Sequence, residues 1–113
     1  MESVLSTIKK MLGISADYKH FDNDIIVHIN TVLMTLNQIG IGPEEPAFIT
    51  SEMDSWEQTI GETKNIEAVK TYMYLKVRIA FDPPTSSVLE AMNRQANELE
   101  WRLNVQSELK KEG

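Results

Sequence analysis

The sequence has no cysteine, which excludes disulfides, thiolate zinc sites and cysteine nucleophiles together. No apolar run approaches the roughly 20 residues that a membrane span requires. The opening Met1-Glu2-Ser3-Val4-Leu5-Ser6 lacks the basic-then-apolar layout of a secretory signal. Synthesis in the cytosol is the expectation, with no membrane partner. Aromatics are scarce, at two Trp, three Tyr and three Phe, and only two histidines exist to act as bases or ligands. Clustered positive charge is also missing. The 11 Lys and Arg residues are scattered among 17 acids, giving a net charge of −6. Tight binding to a phosphate backbone needs a basic footprint, so the chain is not expected to grip DNA. Such a surface could let DNA pass without holding it.

What is present is ordinary for one soluble domain: 113 residues, 42% hydrophobic and 25% charged. Apolar spacing near 3.6 residues marks five helical segments, and the β signal is weak throughout. The first covers about Ser3 to Leu12, with Val4, Ile8, Met11 and Leu12 on one face and Gly13 as its C-terminal stop. The second runs from Asp22, read as an N-cap, to Gln38, ahead of Gly40 and Gly42-Pro43. Its apolar stripe is wide enough to suggest a central helix. A long connection, residues 43–54, follows. A short turn from Ser55 to Ile60 should dock Trp56, with Gly61 ending it. The fourth helix spans about Asn65 to Phe81 and carries two apolar stripes with a narrow polar one.

Proline has no amide to donate and drives the preceding residue toward extended geometry. Asp82-Pro83-Pro84 must therefore end the fourth helix and form a rigid corner. The fifth helix starts near Ser86, with Ser87 and Glu90 spaced as a capping box, and continues at least to Leu103 and toward Lys110. Its expected core face is Val88, Met92, Ala96, Leu99 and Leu103. The fold class is all-α, a small bundle of four to five helices with a long C-terminal helix after the Pro-Pro corner.

No catalytic, cofactor or metal site stands out. His20, Asp22, Asp24 and His28 come nearest to a metal cluster, but Asp24 and His28 supply only two ligands on one helix face, and Asp22-x-Asp24 lacks the glycine and distal glutamate of a calcium loop. Gly40-Ile41-Gly42 follows a helix rather than a strand and has no Gly-Lys-Ser/Thr after it, so phosphate cradling fails on context. Ser86 and Ser87 lack a nucleophile elbow. Paired acids such as Glu44/Glu45 and Glu98/Glu100 read as solvated surface. Trp101 differs. It falls on the polar side of the fifth helix with Glu90, Arg94, Asn97 and Glu98, one turn before Val105. An aromatic in that setting either anchors a protein interface or packs on another helix of its own domain. Tyr74, on the polar stripe of the fourth helix, makes a similar case.

Several runs resemble the head–tail connector (adaptor, or head-completion) proteins of long-tailed phages and prophages. They are Phe21-Asp22-Asn23-Asp24-Ile25-Ile26-Val27-His28-Ile29-Asn30, Leu36-Asn37-Gln38-Ile39-Gly40-Ile41-Gly42-Pro43, Ser55-Trp56-Glu57, Val69 to Arg78, Phe81 to Ser87, and Glu100-Trp101-Arg102-Leu103-Asn104. Their order and spacing cover about Ser3 to Val105. The resemblance implies residues 1–113 acting as a single helical connector domain without enzymatic chemistry. It implies a homo-oligomeric ring under the phage portal protein that extends the DNA channel and offers a platform to a tail-side completion or stopper protein. It also implies synthesis in the host bacterial cytoplasm and residence at the head–tail junction of the virion. The expected interface residues are Tyr74, Arg94, Glu98, Trp101 and Val105, aimed by the corner Asp82, Pro83 and Pro84. A small helical protein-binding module or phage-encoded regulator is the alternative.

Overall fold

The Ser3 hydroxyl accepts a hydrogen bond from the Ser6 amide at 3.2 Å, and helix α1 (Val4–Leu12) starts from that cap. Gly13 closes it in the left-handed conformation, φ 81°, its N–H reaching back to Lys9 and Lys10 carbonyls. In this computed structural model the backbone is described for residues 2–112 and the side chains for residues 2–109. The remaining helices are α2 (Asp22–Gln38), α3 (Trp56–Thr59), α4 (Ile66–Phe81) and α5 (Ser86–Glu112). Among the described residues there is no strand, only an isolated antiparallel bridge between Ser3 and Ser55. The all-α expectation holds.

The bridge fastens the start of the chain to the start of α3. Val4 N–H donates to the Asp54 carbonyl and Trp56 N–H to the Glu2 carbonyl, each at 3.1 Å. Ser55 and Gln58 then cap α3 reciprocally: the Ser55 hydroxyl accepts from Gln58 N–H, and the Gln58 side chain accepts from Ser55 N–H. A four-residue helix would not persist alone. Here the cap and the burial of Trp56 hold it, and the indole N–H donates to Thr7 Oγ1 at 3.1 Å.

Helix α4 is the element that α1, α2 and α5 all pack against, so it is the central helix, not α2 as the width of α2's apolar stripe suggested. Its Val69, Tyr72, Met73 and Val77 are fully buried beside Ile25, Ile29 and Leu36 of α2 and Val4, Leu5 and Ile8 of α1. Each such side chain removed from water contributes about 1.5–3 kcal/mol. The apolar width of α2 has another outlet, because Val27 and Met34 face solvent.

Other local expectations are corrected. Asp22 is the first residue of α2 rather than its cap: Phe21 occupies the cap position without a side-chain bond, and Asp22 instead pairs with Lys9 at 2.8 Å. Met11 is exposed, and Leu5 takes its place in the core. The first turn of α5 closes with Leu89 N–H donating to the Thr85 carbonyl, so Ser87 lies inside the turn and not at its cap. Val88, in the first turn of α5 beside the corner, is exposed, while Ala96 and Leu103 are buried as expected and Met92 and Leu99 lie partly buried against the core.

Candidate partner interface

Helix α5 is fixed to the body along one side. Ala96 and Leu103 supply the buried apolar contacts. The Tyr72 hydroxyl donates to the Glu100 carboxylate, Asn65 donates to the Gln106 side chain, and the Ser107 hydroxyl donates to the Gly40 carbonyl at 3.1 Å. Burial first, and the Glu100 contact second, push the Tyr72 phenol well above its ordinary value of 10.0. These polar ties lock the rotation of α5 about its axis, so its opposite face must point outward.

That outward face holds four of the five interface residues expected from the sequence. Arg94, Glu98, Trp101 and Val105 recur at spacings of four, three and four, which at 100° per residue places them in one stripe about 16 Å long. Arg94, Glu98 and Trp101 are exposed and Val105 half-buried. Trp101 is 67% exposed, so it does not pack onto its own domain. Arg102 Nη2 donates to Glu98 Oε1 at 2.6 Å, one turn beside it. The fifth residue, Tyr74, is on α4 and half-buried at the edge of the core, apart from the stripe.

The corner preceding α5 is built as the prolines require. Asp82 departs from helical geometry at φ −147°, ψ 73°. Arg78 Nε donates to its carbonyl at 2.6 Å. Asp82 and Pro83 are exposed and Pro84 half-buried. Phe81 anchors the corner from inside, edge-on to Phe21 with ring centroids 5.3 Å apart. The two histidines belong to this aromatic group, His20 lying 4.8 Å from Phe21 and His28 6.4 Å from Phe81. Among the described residues no three His, Asp or Glu side chains converge as a metal site would require.

Three features escaped the sequence reading. Lys9 is buried, its ammonium donating to the Ala16 and Tyr18 carbonyls at 3.3 and 2.8 Å. Its signal was the Leu5-Lys9-Leu12 spacing, which puts a lysine inside an apolar stripe. Asn30 and Asn37 tie down the connection after α2, and nothing in residue type distinguishes them from surface asparagines. An open groove of about 870 Å³ runs past Trp56, Glu57, Glu62, Ile66 and Lys70. Lys70 lies 3.0 Å from Glu2 across it and 5.8 Å above the Trp56 ring.

A family model described as "Phage connector protein" matches residues 4–110, which is every helix of the fold to within two residues of the end of α5. The chain belongs to the phage connector protein family. Its role is therefore that of a phage structural connector, and the family resemblance drawn from the sequence is correct. No curated protein and no solved structure matches the connector. No described helix of the connector is long and apolar enough to cross a membrane.

Proposed function

We propose that this connector is a non-enzymatic virion-assembly protein whose copies join head-to-tail in a ring beneath the portal, residues 1–113 acting as one unit. A heterologous contact of this kind closes into a ring when the rotation between neighbours divides a full turn. The ring joins head to tail, extends the channel through which DNA passes as cargo, and presents its far side to a tail completion or stopper protein. The subunit is made in the host bacterial cytoplasm and ends in the virion.

The observation that carries this reading is the Arg94-Glu98-Trp101-Val105 stripe, an exposed aromatic held on a helix whose rotation is locked from behind. Family membership supports the setting, and the absence of clustered cations supports DNA as cargo rather than ligand. Electron microscopy of the protein mixed with its portal tests the proposal: rings stacked on portals are expected. Trp101→Ala should keep wild-type helicity and melting behaviour while losing portal-bound rings. No association at high concentration would overturn the reading.

A further inference from the structure

Helix α5 packs chiefly on α4, and its ties to Tyr72, Asn65 and Gly40 leave the far side uncovered. The centre line of that side runs through Trp101, 67% exposed. Arg94 precedes Trp101 by seven residues and Glu108 follows it by seven. At 100° per residue both fall within about 20° of the Trp101 direction, and at 1.5 Å per residue they stand about 21 Å apart with Trp101 midway. Both are exposed. Among the described side chains the ion pair on this side of α5 is Arg102 to Glu98, which leaves Arg94 and Glu108 without a partner there.

This spacing is self-complementary. A two-fold axis at Trp101 lays a second α5 antiparallel to the first, so that Trp101 meets Trp101 and Arg94 of each copy meets Glu108 of the other. Isologous contacts need such a surface, on which residue i touches j and j touches i. Opposite charges then flank an aromatic centre on both sides, and charge complementarity of this kind fixes register. The register is specific. An axis two residues further on sets Glu98 against Glu108, and one two residues earlier sets Glu90 against Glu108. A parallel pairing sets Arg94 against Arg94. In the Trp101-centred register Glu90 falls opposite the last turn, where the sequence reads Lys110-Lys111-Glu112. Glu98 keeps its partner Arg102 on its own helix.

Other occupants fit less well. Nucleic acid needs a basic footprint, and Arg94 stands among Glu90, Glu98 and Glu108. Size sets the strength: one face of one helix, about 21 Å long, belongs to the class of contacts below about 1,200 Å², which are weak and reversible.

We infer that the free subunit is a weak antiparallel dimer, in which two copies pair α5 to α5 about Trp101 and keep the stripe covered until assembly. This rests on the reading above that the same stripe makes the assembly contact. The dimer must then part before a ring can form, because one surface cannot serve both.

Sedimentation of the full chain from micromolar to millimolar concentration tests the inference. Wild type should pass from monomer to dimer and go no further. Arg94→Glu and Glu108→Arg, each alone, set like charges together and should weaken the dimer at least about tenfold. Mixed in equal amounts the two variants should recover it, since the two reversed side chains then meet each other. Trp101→Ala should weaken the dimer by about tenfold or more as well, with circular dichroism unchanged in every variant. A chain that stays monomeric at millimolar concentration overturns the inference. So does a dimer that neither charge reversal weakens, or one that the mixture fails to restore, since another surface then holds it. Portal-bound rings from a chain that never dimerises sink this inference alone. A dimer that behaves as expected but yields no rings on portals sinks the connector reading alone.

Discussion

The Lys9 ammonium lies 2.8 Å from Asp22 Oδ1, joining α1 to the first turn of α2 with side chains only 4% and 18% exposed. That carboxylate oxygen is buried and has no other hydrogen-bond partner. The same ammonium takes the Ala16 and Tyr18 carbonyls, so one cation organises the whole loop between the helices. Pairing of this kind adds little over an apolar replacement of both partners, but removing one partner leaves an uncompensated charge.

Lys9→Met should therefore destabilise the chain by about 3 kcal/mol, at the lower end for a broken buried pair because Asp22 keeps some access to water. Lys9→Met combined with Asp22→Asn should cost clearly less than the sum of the two single changes, since no charge is stranded. Urea unfolding at neutral pH measures both. Additive losses would show that the loop carbonyls, and not Asp22, are what Lys9 serves.

Tyr72 gives a pH prediction. Its phenol is buried against Glu100 and titrates above the ordinary value of 10.0. A group whose folded-state pKa is raised contributes stability that is complete below its unfolded pKa and lost as pH rises past it. Wild-type stability should hold up to about pH 10 and then fall steeply. Tyr72→Phe should cost about 1 kcal/mol at neutral pH, the worth of one hydrogen bond, and make the alkaline decline shallower. An unchanged alkaline limb would assign that decline to other groups.

Legibility in the sequence followed how local each cause was. The ends of α1 and α4 were readable because Gly13 and Pro83-Pro84 act through backbone geometry alone. Trp101 was readable as lying opposite Leu99 and Leu103 on the polar side of α5, but periodicity left open whether it faces outward or packs on its own domain, and its exposure decides for the former. Where tertiary contact decided, the reading failed. Met11 and Leu5 compete for one core face, and only the position of α4 chooses between them. Asp22 looks like a cap until Lys9, thirteen residues earlier, claims its carboxylate. The wide stripe of α2 was visible, but a stripe does not say which of its residues meet the core and which, like Val27 and Met34, face solvent. The Asn30 clamp was beyond reach, because its partner is a backbone group nineteen residues away.

Ser55 heads the shortest helix and has the most to lose from a missing cap. Ser55→Ala removes the acceptor for Gln58 N–H, 3.2 Å away, at a cost of about 1 kcal/mol. Because α3 also carries Trp56 into the core, the loss should appear as a lower urea midpoint with an unchanged slope. Ser55→Asp, which restores an acceptor, should recover much of it. Failure of the aspartate to recover stability would trace the effect to burial of Ser55 and not to capping.

Asn30→Ala tests what holds the connection between α2 and α3. Asn30 offers one acceptor and one donor to the same residue, as a neighbouring strand would. Its removal leaves the amide and carbonyl of buried Ile49 unpaired. An unsatisfied buried group costs about 1–3 kcal/mol, enough to favour local release of residues 43–49 over keeping them in place. Hydrogen exchange should then show Ile49 N–H losing protection by about tenfold or more while α4 amides are unchanged. Asn37→Ala, whose bonds lie in an exposed setting, should change exchange far less. If Ile49 stays protected in Asn30→Ala, then packing of its own side chain in the core holds the segment without the clamp.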